Sequence, residues 1–167
     1  LNDYVSRQRR DLSVDEMQMS SLTLVQFDGN DAHEVHLHKV RLGNVKDFGL
    51  QDFEPRGSTP LYDAIVKMIR RAERVEEIEN KVVIIMTDGE ENASLLNDRS
   101  SVSKLVKQKT EEGWTFVFLG ANIEAFDEAD KVGIVSSNVQ NFVPDSMGIS
   151  RAFTSLAKAS SAYVACS

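Results

Sequence analysis

Two short stretches of this chain place oxygen-bearing side chains close together in sequence. The first is Gly57-Ser58-Thr59-Pro60, and the second is Asp88 with Gly89, Glu90, Glu91 and Asn92 directly behind it. Carboxylate and hydroxyl oxygens are the ligands that Mg²⁺, Mn²⁺ and Ca²⁺ prefer. Each stretch also has a simpler interpretation, because Thr59 can cap a helix and Thr87-Asp88-Gly89 can be an ordinary turn.

The neighbouring sequence predicts that both stretches lie at the same end of a sheet. Val82–Met86 is an unbroken apolar run, typical of a strand buried on both faces of a parallel sheet. Ligand sites in open α/β sheets lie at the carboxyl ends of such strands. Thr59 followed by Pro60 predicts a helix start, with the helix continuing to about Ile78. Gly57 would then let the backbone approach an ion that the Thr59 hydroxyl faces.

The other elements follow from apolar periodicity and turn residues. Before Thr59 we expect a helix at Leu1–Leu12, a polar connection at Ser13–Met19, a strand at Ser21–Phe27 and a polar edge strand at Glu34–Leu42. Asp28-Gly29-Asn30-Asp31 predicts a hairpin turn that uses positive φ angles. After Asn92 we expect helices at Ser100–Glu112, Ile123–Val132 and Met147–Val164, and strands at Trp114–Leu119 and Val139–Val143. The order predicts an α/β fold.

Composition sets further limits. A length of 167 residues suits one domain, and the net charge of −7 argues against a nucleic-acid surface. The lone Cys166 excludes an intrachain disulfide, and no apolar run is as long as a membrane span. His36 and His38 share a strand face and His33 lies near the turn, but zinc would need further ligands. We expect these three to be ordinary surface residues.

The amino terminus has the pattern of a helix interrupted at its start. Leu1, Tyr4, Val5, Gln8 and Leu12 follow helical spacing, yet no residue before Leu1 could cap the helix. We therefore expect that the sequence begins inside a helix and that further sequence lies upstream.

Taken together, Gly57-Ser58-Thr59-Pro60-Leu61 and Lys81–Asn92 resemble the second and third metal motifs of von Willebrand factor A (vWA) domains. Residues 2–11, 113–122 and 148–164 are similar to the bacterial and phage-type members, so the resemblance covers nearly the whole chain. It implies a Rossmann-like fold with a mostly parallel central sheet, one antiparallel edge strand and helices on both faces. It also implies a divalent cation, Mg²⁺ or else Mn²⁺ or Ca²⁺, with Thr59 and Asp88 as ligands.

The resemblance further implies a protein-binding module whose partner completes the metal coordination with an acidic side chain. Residues around the two ligands would form the rim that contacts this partner: Gly57, Ser58, Gly89, Glu90, Glu91 and Asn92. The bacterial and phage character of the resemblance implies a cytoplasmic or virion-associated protein. No membrane or nucleic-acid partner is expected.

One motif of the family is missing. The first metal motif, Asp-x-Ser-x-Ser, ends the central first strand of a vWA sheet, and no segment here supplies it in that place. The strand would lie between Ser21–Phe27 and Val82–Met86. Three outcomes stay open: the strand lies upstream of Leu1, another chain donates it by strand addition, or its two neighbours pair directly. Without the motif, we expect the metal site to be weak.

Three functions follow, in decreasing order of preference. The first is the cation-dependent binding module, which is not an enzyme. The second is a metal-independent scaffold protein of the same fold within an assembly. The third is a Mg²⁺-dependent phosphohydrolase that uses Asp88 with Glu90 or Glu91, although no nucleophile or phosphate-binding loop is evident.

Overall fold

The computed structural model describes residues 1–49, 52, 54, 56–75, 80–121, 124–143 and 145–165. The helices are α1 (Asn2–Asp11), α2 (Val14–Met19), α3 (Leu61–Glu73), α4 (Arg99–Glu111), α5 (Ala125–Lys131) and α6 (Ser146–Ala165). The strands are β1 (Ser21–Gln26), β2 (Glu34–Arg41), β3 (Val82–Thr87), β4 (Thr115–Gly120) and β5 (Val139–Asn141). Short 3-10 turns occur at Leu42–Asn44 and Ser136–Asn138. The α/β class is confirmed.

The chain divides into two compact units. The first contains Leu1–Gln26, Glu34–Pro55 and Asp145–Ser167, and the second contains Phe27–His33 and Arg56–Pro144.

The first unit combines an antiparallel ribbon with a helix pair. β1 and β2 pair from Ser21 opposite Arg41 to Gln26 opposite Glu34, which confirms the predicted ribbon. Helices α1 and α6 contact each other, and the buried Gln8 side chain donates a 2.7 Å hydrogen bond to the Ala157 carbonyl. Burial of such an amide is tolerated because its polar atoms are bonded.

The prediction for Ser13–Met19 was wrong. Helix α2 occupies Val14–Met19, and Ser13 and Glu16 form a capping box at its start. The Ser13 hydroxyl accepts from the Glu16 N–H while the Glu16 carboxylate accepts from the Ser13 N–H. Reciprocal bonds of this kind satisfy backbone donors that a helix start otherwise leaves without partners.

The second unit is built on a parallel sheet in the order β3-β4-β5. Its core joins apolar residues of α3, α4, β3 and β4, among them Leu61, Ile69, Val106 and Phe118. The prediction that β3 is buried on both faces is confirmed for one face only. Val83 and Ile85 are buried on one face, whereas Val82, Ile84 and Met86 are half-buried on the other.

The described strands form two sheets and not one continuous sheet. β1 pairs with β2, and β3 pairs with β4. The outcome in which the two neighbours of the missing strand pair directly is therefore wrong for the described residues, because β1 and β3 lie in different sheets.

Several boundaries differ from the predicted ones. Helix α3 ends at Glu73, before the predicted end near Ile78, and residues 76–79 lie outside the described residues. Strand β5 ends at Asn141, two residues before the predicted Val143. The predicted helix start at Ile123 also falls outside the described residues, and α5 begins at Ala125. Among the helices described, none is both long and apolar enough to span a bilayer.

Candidate functional site

The structure brings the two predicted metal-binding stretches together. The Thr59 N–H donates to the Asn92 side-chain oxygen at 2.7 Å, and the Asn92 N–H donates to the Thr59 carbonyl at 3.1 Å. The Thr59 hydroxyl lies against Gly89, since a Cβ at position 89 would be 2.8 Å from Oγ1. A side chain at position 89 would therefore displace the Thr59 hydroxyl. Residues 33 positions apart in sequence, Thr59 and Asn92, form one small cluster.

The predicted cap by Thr59 was wrong. Pro60 is the N-cap residue of α3, and it provides no side-chain capping bond. The first amides of the helix bond instead to a distant loop, because Tyr62 N–H donates to a Glu91 oxygen at 2.9 Å and Asp63 N–H donates to Ser94 Oγ at 3.1 Å. A carboxylate at a helix start also interacts favourably with the helix dipole. The Thr59 hydroxyl therefore lies outside the helix cap.

Glu91 is the anchor of the loop that follows β3. Besides the Tyr62 amide, its carboxylate accepts from the Ala93 amide (2.9 Å), the Ser94 amide (2.7 Å) and the Ser94 hydroxyl (2.7 Å). Partial burial raises the pKa of Glu91, but the bonds from Ser94, Tyr62 and Ala93 outweigh it and hold the pKa below its ordinary value. Glu91 is thus kept ionised, with both oxygens engaged in positioning this loop.

Asp63 holds the same loop from the other side. Its side chain is buried, and its carboxylate accepts from the amides of Leu95, Leu96 and Asn97 and from the Asn97 side chain at 2.8–3.2 Å. Burial raises the pKa of Asp63, yet these bonds bring it below its usual range. No role for Asp63 was predicted from the sequence. The sequence feature that could have indicated one is its position as an acidic residue in the first helical turn, between the buried Leu61 and Ala64.

A third loop, Phe27–His33, supports the Gly57-Ser58 segment. Asp28 is buried, pairs with Arg56 Nε at 2.9 Å, and accepts from the amides of Asn30 and Asp31. The Gly29 N–H donates to the Gly57 carbonyl at 3.1 Å. The Asp28–Asp31 turn is closed by the Asp28 side chain together with a 2.9 Å backbone bond from the Asp28 N–H to the Asp31 carbonyl. The prediction of positive φ there was wrong, since the described glycines with positive φ are Gly113 and Gly133.

Ser58 adopts a backbone conformation that few non-glycine residues tolerate. Its φ is 69°, in the left-handed region, and its side chain is exposed. Such strain persists only where neighbouring bonds impose it, and it concentrates at binding sites. Gly57, by contrast, has open space where a Cβ would lie, so nothing in the chain itself demands glycine there.

Asp88 and Glu90 are exposed beside this cluster. The Thr87 hydroxyl bonds to both the amide and the carbonyl of Gly89, which fixes the turn that carries Asp88. A side-chain hydrogen bond with Glu90 and the like charge of Glu90 raise the pKa of Glu124 above the ordinary glutamate value. The surface beyond Asp88 is therefore acidic.

The predicted cation ligands in this region are two, the Thr59 hydroxyl and the Asp88 carboxylate. The part of the chain that the structure describes contains no group of three or more His, Cys, Asp or Glu residues arranged to hold a metal. The oxygens of Asp63 and Glu91 already accept internal hydrogen bonds, so these two carboxylates hold the loop and are not counted among the predicted ligands. Mg²⁺ commonly keeps several waters beside one or two protein ligands.

The histidines have other partners. His36 Nε2 lies 3.1 Å from Gln26 Oε1, while His33 Nε2 accepts from Arg71 Nε at 2.7 Å. His33 and His36 are therefore half-buried and hydrogen-bonded, whereas His38 is exposed.

A comparison of the sequence with models of known protein families, and a second comparison with curated proteins, found no match.

Proposed function

We propose that this chain is a vWA-type binding module that holds a protein partner partly through a divalent cation at Thr59 and Asp88. The observation that carries the proposal is the pair of backbone and side-chain bonds between Thr59 and Asn92, with the Thr59 hydroxyl against Gly89. These contacts unite the second and third metal motifs that the sequence resembles. An ordinary turn after a strand would not require hydrogen bonds to a residue 33 positions away in sequence.

Strand order supports the same family. A vWA sheet has the order 3-2-1-4-5-6. Removal of its first strand leaves one pair and one parallel triplet, which correspond to β2-β1 and β3-β4-β5 here. The observed pairings therefore agree with the Rossmann-like strand order that the resemblance implies.

The cation proposed is Mg²⁺, with Mn²⁺ or Ca²⁺ as substitutes. Thr59 and Asp88 would hold it, and an acidic side chain of the partner would fill an open position. The rim residues would then have two different roles. Asn92 and Glu91 position Thr59 and the loop, whereas the exposed Ser58 and Glu90 are available to the partner. No turnover is proposed, since the oxygens of Glu91 are engaged in structural bonds.

The first test is cation binding by the purified chain. Mn²⁺ should broaden the amide NMR signals of Thr59, Gly89 and Asn92, and Mg²⁺ should reverse this effect by competition. Asp88→Ala should abolish the broadening, whereas Asp11→Ala, which removes an exposed acid from the end of α1, should leave it unchanged. Absence of any local effect at about 10 mM cation, well above the range of weak protein Ca²⁺ sites, would refute the cation site.

A metal-independent scaffold of the same fold is the second candidate. It is favoured by the same hydrogen bonds, because Asp63 and Glu91 bond to the loop without any ion. The two candidates differ in one result. Partner binding that survives excess chelator and Asp88→Ala supports the scaffold, and binding lost under both conditions supports the cation-dependent module.

A further inference from the structure

Ser58 is held in its left-handed conformation by hydrogen bonds on both sides of it. On one side, the Gly57 carbonyl accepts from the Gly29 N–H at 3.1 Å. On the other side, the Thr59 N–H donates to the Asn92 side chain at 2.7 Å. A serine at a φ of 69° keeps this backbone angle only while its neighbours impose it. Loss of either bond would therefore free Ser58 to return to a negative φ.

The Gly29 side of this arrangement belongs to one closed turn. The Asp28 N–H donates to the Asp31 carbonyl at 2.9 Å, and Asp28 Oδ1 accepts from the amides of Asn30 and Asp31. A Cβ at position 29 would lie 2.9 Å from Ser58 Cβ, so the turn packs directly against Ser58. Because internal bonds hold the turn together, a shift at its far end also displaces Gly29.

His33 attaches the end of this loop to α3. Arg71 Nε donates to His33 Nε2 at 2.7 Å, and the His33 N–H donates to Asp31 Oδ1 at 2.8 Å. An arginine side chain can only donate, so Nε2 must be the unprotonated nitrogen of a neutral imidazole. The proton then lies on Nδ1, which is buried and has no hydrogen-bond partner among the described residues. One added proton at Nε2 would abolish the bond from Arg71.

The surroundings of His33 oppose that added proton. Burial lowers the pKa of His33, and Arg71 and Lys67 of α3 lower it further, whereas Asp31 in the same loop raises it by a smaller amount. The neutral imidazole therefore persists in the folded chain below the ordinary histidine pKa of about 6.5. As pH falls through the lower folded value, an imidazolium forms beside two cations and the contact with α3 becomes repulsive.

We propose that protonation of His33 is a switch that releases the loop Phe27–His33 from α3 and lets Ser58 leave its left-handed conformation. With neutral His33, Arg71 holds the loop, the bond from Gly29 to Gly57 forms and Ser58 keeps its positive φ. With charged His33, the loop moves away from α3 and that bond is lost.

The change is local. The ion pair of Asp28 with Arg56 does not include His33, so it keeps the turn attached to the segment before Gly57 in both states. All the residues involved lie within the second compact unit. The switch itself holds whether or not Thr59 and Asp88 bind a metal, and only its consequence for partner binding at the exposed Ser58 rests on the proposed function.

An NMR titration of the purified chain from about pH 8 to about pH 5, a range that contains the ordinary histidine pKa, provides the first test. The His33 ring signals and the Gly29 and Ser58 amide signals should change with one common midpoint. The one-bond Cα–Hα coupling of Ser58, which differs between positive and negative φ, should change at the same midpoint. The amide of the buried Ile85 should not move. Ser58 signals that stay constant while His33 titrates, or an Ile85 signal lost at the same midpoint through unfolding, would overturn the proposal.

Replacement of the titrating ring provides the second test. His33→Gln keeps an acceptor for Arg71 but takes up no proton in this pH range, so Ser58 should keep its positive-φ coupling throughout. His38→Gln, at an exposed position of β2, is the matched control and should leave the Ser58 transition unchanged. A Ser58 transition that persists in His33→Gln would assign it to another group and refute the role of His33.

Removal of the donor provides the third test. Arg71→Met should give the low-pH signals of Ser58 already at neutral pH, and the Gly29 amide should exchange up to about tenfold faster because its bond to Gly57 is lost. Arg70→Met, at the exposed neighbouring position, should change neither. Unchanged Gly29 exchange in Arg71→Met would refute the attachment.

Circular dichroism checks that the variants are folded, and the titration of the unmodified chain remains decisive if Arg71→Met is not. None of these measurements uses a cation or a partner. Failure of the cation site and failure of the switch therefore give different results: the first leaves the Ser58 transition in place, and the second removes it.

Discussion

At the scale of single residues, the buried carboxylate of Asp63 is the group on which the loop after β3 most depends. It accepts hydrogen bonds from four donors, the amides of Leu95, Leu96 and Asn97 and the Asn97 side chain, and no amide of the same shape could accept them all. We expect Asp63→Asn to lower the free energy of unfolding by about 2 kcal/mol, because buried N–H donors would lose a charged acceptor. Urea unfolding measures this change.

The control for Asp63 is another acid in the first turn of a helix. Asp15 is exposed near the start of α2, and Asp15→Asn should change the unfolding free energy by less than about 0.5 kcal/mol. A similar loss in both variants would indicate a general charge effect and contradict the specific role of Asp63.

Gly89 is the residue that sets how closely the two predicted metal motifs approach. A Cβ at this position would lie 2.8 Å from Thr59 Oγ1, so Gly89→Ala must displace the Thr59 side chain. We expect a loss of about 1 kcal/mol in stability and a weaker Mn²⁺ effect at Thr59. Gly43→Ala, where a Cβ meets nothing within 4 Å, should change neither quantity. An unchanged Mn²⁺ effect in Gly89→Ala would show that the close approach is unnecessary for binding.

At the scale of elements, the parts that the sequence predicted well are those with local periodicity. Apolar runs placed β3 and β4, and helical spacing placed α1, α3 and α4. The short helix α2 has no apolar stripe, yet Ser13 followed by Glu16 is a capping-box pattern that predicts a helix start. The bonds from Asp63 to Leu95–Asn97 had no such local pattern, because they join residues more than 30 positions apart.

Helix α2 should depend on its capping box more than on packing. None of its residues is buried, so little tertiary burial stabilises it. Ser13→Ala should destabilise this helix by about 1 kcal/mol and increase amide exchange in Val14–Met19. Ser6→Ala, at an exposed position within α1, should leave that exchange unchanged. Unaltered exchange in Ser13→Ala would mean that other contacts hold α2.

At the scale of the whole molecule, pairing between strands distant in sequence was the least predictable feature. The composition of β3 suggested a central strand, whereas among the strands described β3 pairs on one side only, with β4. Local propensity cannot reveal this difference, because the partner of a strand lies elsewhere in sequence. The contact between the stretches that contain Thr59 and Asn92 agrees with the prediction that both lie at one end of the sheet, whereas the roles of Thr59 and Asp88 as ligands stay a prediction.

The stability of the whole chain should decline on acidification in two stages. Burial, together with Arg71 and Lys67, lowers the pKa of His33, so the unfolded chain takes up a proton that the folded chain resists. The resulting loss of stability begins when the pH falls to the ordinary histidine pKa of about 6.5. The pKa values of Asp63 and Glu91 are also lowered, so the stability they supply above the ordinary carboxylate values of about 3.9 and 4.3 is lost as pH falls through their folded values.

Thermal unfolding between neutral and acid pH would resolve the two stages. His33→Gln should remove the first decline and leave the second, whereas Asp63→Asn should reduce the second and leave the first. Glu124 acts in the opposite direction, because its raised pKa favours the folded state at low pH and this contribution disappears as pH rises through the folded value. Glu90→Gln should therefore steepen the acid decline slightly. Identical pH profiles for His33→Gln and the unmodified chain would contradict the assignment of the first stage to His33.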